Sequence, residues 1–242
     1  MNRAIVLSSG TEVDFMVHGV FSFKVFGQTV WITTTHVGLL IIMLTLIIFA
    51  IVVGRKVKKM KPEDVPQGIV NVAELMTEKL EGFVMSTMGS SGSKFVNYIS
   101  TIFIFILFSN FSGLFGLRPP TADYGVTFPL AITTFVLIHY NELKHQKLKG
   151  VLKGLWDPWP IWAPINIIGN LAVPISLSLR LFANILSGTA IMTLIYVLLG
   201  KIAYVWPAAL HVYFDLFSGS IQTYVFCMLT MTYIRNAIGN ED

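Results

Sequence analysis

Five long apolar runs separate the polar segments of this chain and form its strongest pattern. They occupy residues 37–54, 95–117, 126–140, 161–199 and 208–234. A helix needs about 20 consecutive apolar residues to cross the hydrocarbon core of a bilayer. We therefore predict an all-α, polytopic membrane protein with five crossings, built as a single domain over residues 1–242.

The two longest runs lie near the C-terminus, and only a short turn at Gly200 to Pro207 joins them. A short connection makes two neighbouring helices antiparallel. We therefore predict a long antiparallel pair of C-terminal helices.

One polar segment, residues 62–94, carries a helical pattern of its own. Its apolar residues recur at the spacing of one helix face, at Ile69, Val72, Ala73, Met76 and Leu80. An apolar stripe beside charged positions is typical of a helix that lies in the membrane surface. The pattern predicts an amphipathic helix on the cytoplasmic side.

Residues 1–36 mix charged and aromatic side chains before the first apolar run. Aromatic residues are enriched at membrane–water interfaces, which predicts an external, interfacial tail. The alternation of Phe21, Phe23 and Val25 leaves a short β-strand open as an alternative.

The charges set the class of protein and its orientation. Only 12% of the residues are charged, against about 25% in soluble domains. With five crossings, twelve Lys and Arg residues fall on one side of the membrane and four on the other, with one inside it. Because the side richer in Lys and Arg is cytoplasmic, we expect the N-terminus outside and the C-terminus inside. The net charge of +4 then needs no nucleic acid to explain it.

Several kinds of chemistry have no signal in the sequence. The single cysteine, Cys227, lies in an apolar run, so the chain has no disulfide framework. There is no phosphate-binding loop and no Cys/His spacing typical of a metal site. We expect His36, His139 and His145 to be interfacial, and we expect no metal, cofactor or nucleotide to bind.

One cation, Arg180, lies in the middle of the fourth apolar run. A guanidinium cannot lose its proton in a protein, and holding it at the bilayer centre costs about 2.5–3.5 kcal/mol. One interpretation is a side chain that reaches the interface from near a helix end, or an internal ion pair. The other is a fixed charge in an ion path. We favour the ion path because intramembrane charges usually mark one.

Polar residues accompany Arg180 at helical spacing. Ser176, Asn184 and Ser187 fall four before, four after and seven after it, so the four residues share one face. Asn166 lies two heptads before Arg180 and falls near the same face. The pattern predicts an apolar helix with a single polar seam.

A second polar seam lies on the last apolar run. His211, Asp215, Ser218 and Gln222 are spaced four, three and four apart. One interpretation is a seam that only holds helices together. The other is a proton relay, because an imidazole and a carboxylate four residues apart on a helix are its usual parts. We favour the relay, since a carboxylate in lipid is costly unless it is wet, paired or protonated.

The antiparallel arrangement predicts the depth of each group. Arg180 and Gln222 fall near the middle of the membrane, whereas Asp215 and His211 fall nearer the outside. Arg180 and Asp215 are then about 10 Å apart in depth. We therefore expect Arg180 to have no full partner in this chain, and we expect another subunit to supply its anion.

These residues together resemble a known family. The stretch Pro174-Ile-Ser-Leu-Ser-Leu-Arg180-Leu-Phe-Ala-Asn184, followed by Gly188, is similar to the signature of subunit a of the F-type ATP synthase. The resemblance extends to Pro120-Thr-Ala-Asp123, to Pro164-Ile-Asn166 and to Gln222, and covers most of the chain beyond residue 35.

The resemblance implies a stator channel beside a rotating ring of c subunits in a bacterial cell membrane. Two offset half-channels would carry H⁺ or Na⁺ to and from the ring. Arg180 would separate them and face the ring carboxylate, with Asn184 and Gln222 beside it. The partners would be the c-ring, the peripheral stalk subunit b and the lipid bilayer. The chain itself would be a non-catalytic subunit without a bound cofactor.

The chain departs from the family pattern at two positions. Many members carry Glu nine residues after the arginine, where this chain has Thr189, and many carry His where this chain has Asp215. We interpret this as a carboxylate that has moved from one helix of the pair to the other. Asp123 and Asn166 are candidates for a channel mouth, and for Asp123 a turn-capping role is an equal alternative.

Other classes of function fit the sequence less well. A secondary ion transporter or channel with an intramembrane Arg–Asp site is the main alternative, but the internal repeats usual in transporters are not visible. A membrane-embedded enzyme would need a nucleophile or a metal cluster, and a scaffold would not need Arg180.

Overall fold

The structure is a computed structural model that describes residues 5–6, 12–13, 19–25, 28–61, 63–156, 159–199 and 206–239. Helices dominate it, as predicted. They are α1 (Thr34–Val57), α2 (Ile69–Met88), α3 (Val96–Phe111), α4 (Tyr124–Trp156), α5 (Ala163–Leu199), α6 (Trp206–His211) and α7 (Gly219–Ile238). A π-helical segment, Val212–Ser218, joins α6 to α7. Short 3₁₀ turns cover Gly89–Lys94, Ser112–Phe115, Pro120–Ala122 and Pro160–Trp162.

Three segments within the described residues are long and apolar enough to cross a membrane: Thr34–Val57, Val96–Phe115 and Ala163–Leu198. They contain most of the first, second and fourth predicted crossings. The third and fifth predicted crossings fall in α4 and in the stretch from α6 to α7, which do not meet that criterion. The total of five crossings stays a prediction.

Helix α4 is longer than the sequence suggested. The predicted third crossing ended at residue 140, with a return to the cytoplasm after it, but the helix continues without interruption to Trp156. The added residues include the good helix formers Glu142, Leu143 and Lys144. The side chain of Asn141 donates to the carbonyl of Leu137 at 2.7 Å, so it does not compete for the backbone outside the helix.

Helix α2 confirms the predicted amphipathic helix. In the predicted apolar stripe Leu80 is buried, Ile69, Ala73 and Met76 are half-buried and Val72 is 52% exposed. The other buried residues of α2 are Val70, Val84 and Met88. The bundle covers only one flank of α2, where Phe83 packs against Phe103 and Tyr224. The position of these partners, and not the spacing of apolar residues, decides which side is buried.

The N-terminal segment contains β-structure, so the strand alternative is confirmed. β1 (Ile5–Val6) pairs with β2 (Glu12–Val13), and β3 (Gly19–Val25) forms an antiparallel hairpin with β4 (Gln28–Thr33). The Trp31 ring lies so close to Gly19 that a Cβ there would be 2.5 Å from a ring carbon. The last three residues of the predicted tail, 34–36, belong to α1, and its residues 1–4, 7–11, 14–18 and 26–27 lie outside the described ranges.

The core lies where α3, α4, α5 and α7 meet. Its most completely buried side chains include Ile99, Leu181, Phe226, Met231 and Ile234. The native cysteine, Cys227, is buried among them as a free thiol. The other three helices form the wall against which α5 packs through Leu177 and Leu181.

Asn110 ties α3 to the rest of the bundle. Its Nδ2 donates to the carbonyl oxygen of Gly219 at 3.0 Å and to Thr223 Oγ1 at 3.2 Å, and its Oδ1 accepts from Thr121 Oγ1 at 2.7 Å. The two helices approach so closely that a Cβ on Gly219 would lie 2.9 Å from the Asn110 Cβ. This polar part of α3 therefore faces other helices.

We expect Asn110→Ala to destabilise the protein, because it leaves buried polar groups unpaired at about 1–3 kcal/mol each. Thermal unfolding of the complex in detergent should show a lower midpoint. The matched control is Asn97→Ala, which removes an exposed amide from the same helix. Equal midpoints for both variants would contradict the role given to Asn110.

Candidate functional site

Arg180 lies near the middle of α5, with 17 residues of the helix before it and 19 after it. At about 1.5 Å per residue, each end of the helix is more than about 25 Å away, too far for the side chain to reach. Ser176, Arg180 and Ser187 are exposed, whereas Leu177, Leu181 and Ile185 on the other side of the helix are buried. The functional face of α5, as we call Ser176, Arg180, Ala183 and Ser187, is therefore a lateral surface.

The Arg180 side chain forms no hydrogen bond or ion pair with any residue in the described ranges. In particular, Asp215 is paired with His211 and not with Arg180. The geometry agrees with the sequence-based expectation that Arg180 lacks a partner in its own chain. It argues against two alternatives for Arg180: a side chain that reaches the interface from near a helix end, and an ion pair with Asp215.

Two contacts set the register between α5 and the segment that leads into α7. Asn184 Nδ2 donates to Ser218 Oγ at 3.1 Å, and Gly188 lies against the Phe214 ring, with an ideal Cβ 3.5 Å from a ring carbon. Arg180 lies one turn before Asn184 on α5, and Gln222 lies one turn after Ser218. Because the two segments are antiparallel, Arg180 is level with Gln222. Gln222 is buried, and its Nε2 has no hydrogen-bond partner among the described residues.

A hydrogen-bonded row of three side chains connects α5 to the π-helical segment. Tyr196 Oη lies 3.0 Å from His211 Nε2, and His211 Nδ1 lies 2.7 Å from Asp215 Oδ2. The His211 side chain is 30% exposed and that of Asp215 is 12% exposed. The row can move a proton from an accessible imidazole to a more buried carboxylate.

The π-helix explains how Asp215 and Ser218 have different partners on neighbouring helices. Its backbone bonds run from residue i to i+5, so successive side chains are rotated relative to an α-helix. Asp215 turns toward His211, while Ser218 reaches Asn184. The prediction that His211, Asp215, Ser218 and Gln222 share one face assumed an α-helix. No pattern in the sequence indicates the π-helix at Val212–Ser218.

Gly113 makes room for the Asp215 carboxylate. A Cβ at Gly113 would lie 2.8 Å from the Asp215 carboxyl carbon and from Oδ2, closer than real Cβ contacts are found. The turn Ser112–Phe115 therefore places Gly113, which has no side chain, against the Asp215 carboxylate. Any larger residue at this position would displace one of the two.

Asp215 and His211 line a cavity of about 300 Å³. Its other polar walls are Arg118, Thr189, Thr193 and Tyr196. A polar cavity of this size holds several water molecules. Thr189 and Asp215 face the same cavity, so a carboxylate moved from one position to the other would serve the same space.

A second polar cavity, of about 200 Å³, lies at the other end of the bundle between α4, α5 and α7. Its polar walls include His139, Glu142, Asn170, Tyr233 and Asn236. Along α5, this cavity reaches residues 170–173 and the first cavity begins at residue 186. Arg180 lies between them and lines neither.

The remaining predicted site residues are elsewhere. Asp123 Oδ1 accepts from the backbone N–H of Gly125 at 2.9 Å, just before α4 begins, which is the turn-capping alternative. Asn166 is half-buried in the first turns of α5. Neither residue lines the cavity that holds Asp215.

Two residues of this site were missed by the sequence analysis. Tyr196 lies as many residues before the turn at 200–207 as His211 lies after it, so counting from the turn would have paired them. Gly113 carries no such signal, because its importance depends on how closely the two segments approach.

Comparisons with known proteins identify the family of the chain. The family described as ATP synthase A chain matches residues 36–235. The "ATP synthase subunit a, sodium ion specific" of Propionigenium modestum is 35% identical, over 94% of this chain and 79% of that protein. The "ATP synthase subunit a" of Moorella thermoacetica is 33% identical, over 72% and 78%. The "ATP synthase subunit a 2" of Chlorobaculum tepidum is 30% identical, over 95% and 74%.

The family match runs from the first turn of α1 to the last turn of α7, and it includes Arg180, every residue that lines the cavity around Asp215 and most residues that line the second cavity. The chain belongs to the ATP synthase A chain family.

Proposed function

We propose that this chain is the stator ion-channel subunit of the F₀ sector of an ATP synthase, coupling a flow of H⁺ or Na⁺ to rotation of a c-ring. The observation that carries the proposal is the position of Arg180, exposed on the functional face between two polar cavities. A single connected pore would let ions cross the membrane without turning the rotor. Two cavities separated by a fixed cation keep the two sides apart.

The cavity around Asp215 serves as the outer half-channel. His211 is the more exposed of the two side chains and exchanges the ion with the outer solution, while Asp215 passes it inward. Tyr196 holds the second nitrogen of the imidazole and so fixes its orientation. For Na⁺, the carboxylate and hydroxyl oxygens of the same cavity supply hard ligands.

The cavity lined by Glu142 and Asn170 serves as the inner half-channel. It contains a carboxylate, an imidazole and amide groups, so it can hold water and an ion in transit. The distance along α5 from Asn170 to Arg180 is about 15 Å at 1.5 Å per residue. An ion must therefore travel on the rotor to pass from one cavity to the other.

Arg180 acts on the rotor carboxylate electrostatically. A carboxylate in lipid stays neutral by binding its ion, and a nearby cation favours the charged form. When the ring brings the carboxylate to Arg180, the ion is released to one half-channel. The permanent positive charge also repels ions that would leak between the cavities. Each ion that falls through 100 mV supplies about 2.3 kcal/mol.

The proposal includes the partners and the orientation. The functional face contacts the c-ring, and other surfaces of the bundle contact the peripheral stalk subunit b and lipid. The N-terminus lies outside the cell membrane and the C-terminus lies in the cytoplasm, supported by the exposed cluster of Arg55, Lys56 and Lys58 at the end of α1. ATP is made by other subunits of the complex, and this chain binds no nucleotide.

We expect Arg180→Ala to abolish ATP synthesis driven by an ion gradient, because the rotor carboxylate would lose the charge that makes it release its ion. ATP hydrolysis by the soluble head should persist. Both rates are measured on the reconstituted complex. The matched control is Ser187→Ala on the same face, which should keep synthesis near the unmodified rate. Gradient-driven synthesis at the normal rate in Arg180→Ala would refute the proposal.

We expect Asp215→Asn to slow ion uptake and to change the pH–rate profile of synthesis, since the amide keeps the shape but cannot take up a proton. Gly113→Ala should produce the same type of defect by displacing the carboxylate. The matched control is Asp123→Asn, which removes an acid from outside the cavity. An unchanged pH–rate profile in Asp215→Asn would remove this residue from the pathway.

The coupling ion is identified by driving the reconstituted complex with either a pH gradient or a Na⁺ gradient alone. The proposal predicts synthesis with at least one of them. Synthesis with neither, in a complex that still hydrolyses ATP, would contradict the role of this chain as an ion channel.

A further inference from the structure

A groove between α2 and α7, which we call the α2–α7 groove, lies away from the cavity around Asp215 and shares one wall residue, Asn236, with the inner polar cavity. It consists of two adjoining cavities of about 510 and 600 Å³ that share Phe83 and Tyr224 as walls. Sites that hold small molecules in proteins span roughly 300–1,000 Å³. The proposed ion path does not use this space.

The polarity of the groove changes along its length. One part has apolar walls, including Leu75, Leu80, Phe103 and Leu107. The other part is polar, with Ser86, Thr232, Arg235 and Asn236 among its walls. A molecule that fits both parts has a polar end and an apolar end.

The change in polarity follows the length of α7. Arg235 is in the last turn of α7, and Tyr224 lies 11 residues earlier, about 16 Å along the helix at 1.5 Å per residue. On α3, Phe103 and Leu107 are likewise well inside a helix that begins at Val96. The polar part therefore lies at the C-terminal end of α7 and the apolar part lies away from that end, an order that suits the head group and acyl chain of a phospholipid.

The charge of the groove selects an anion. Its walls include two cations, Arg235 and Lys79, and no carboxylate among the described residues that line it. The Arg235 guanidinium donates one bond, to the Thr87 carbonyl at 3.1 Å, which fixes its position at the groove. Its other N–H groups are free to bind a phosphate, a geometry that arginine suits well.

The apolar part has surface that the chain leaves uncovered. Leu75 is 53% exposed and Tyr224 is 49% exposed, although both face the groove. Helix α2 is held to α7 here by the Phe83–Tyr224 ring contact and by Thr87 Oγ1, 3.8 Å from the Met228 sulfur. An acyl chain in the groove would cover this surface and add contacts between the two helices.

We propose that the α2–α7 groove binds one anionic phospholipid. Its phosphate lies on Arg235, with the amide of Asn236 as a further donor. One acyl chain passes over Phe83 and Tyr224 and along Phe103 and Leu107. The bound lipid fills the groove and stabilises the packing of α2 against α7.

Photolabelling of the complete complex in vesicles tests the proposal. The probe is phosphatidylglycerol with a diazirine in its acyl chain, and phosphatidylcholine with the same group is the neutral comparison. We expect the anionic probe to label peptides that contain Leu75–Leu80 or Phe103–Leu107. Labelling should fall several-fold in Arg235→Gln and remain unchanged in Lys94→Gln, which removes an exposed cation outside the groove.

A second variant, Leu107→Trp, fills the apolar part and leaves Arg235 in place, so it should also lose the label. Three results would overturn the proposal: no label in these peptides of the unmodified complex, equal labelling by phosphatidylcholine, or a groove peptide cross-linked to another subunit. Loss of labelling upon addition of inorganic phosphate alone would assign the polar part to a free anion instead.

Discussion

The cost of an unpaired guanidinium in hydrocarbon is the constraint on which the rest of this structure depends. Arg180 cannot neutralise itself by losing a proton, and no described residue of its own chain does so for it. The charge must therefore be met from outside the chain or by water. A rotor carboxylate that arrives, releases its ion and leaves again satisfies this need without giving Arg180 a permanent partner.

The remainder of the bundle holds that charge at a defined place. The buried side of α5 packs through Leu177 and Leu181, so the opposite side has to face outward. The hydrogen bond between Asn184 and Ser218 sets the register between α5 and the π-helical segment. Asn110 holds α3 against α7 through the carbonyl of Gly219. The Asn110 contacts are buried and the Asn184–Ser218 contact is part-buried, and leaving these groups unpaired makes the alternatives to this register costly.

Much of this architecture could be predicted because lipid imposes strong rules on sequence. Apolar runs long enough to cross a bilayer, the lone Arg180 and the spacing of its polar neighbours all follow from the cost of burying charge. These rules predict less where side-chain packing determines the local structure. The wider turn at Val212–Ser218, the bare backbone at Gly113 and the buried flank of α2 each depend on how closely two segments approach. Helix α4 continues past the predicted crossing for a related reason, because polarity marks the membrane surface and not the end of a helix.

The central claim is that the functional face of α5 meets the rotor. Cysteine cross-linking to the ring helix that carries the carboxylate tests it most directly, and a Cys227→Ser background removes the single native thiol. The account predicts cross-links from Ser176→Cys and Ser187→Cys, which are exposed, and none from Ser178→Cys, which is buried on the other side of the helix. Cross-links from the buried position, or none from the exposed pair in an assembled complex, would contradict it.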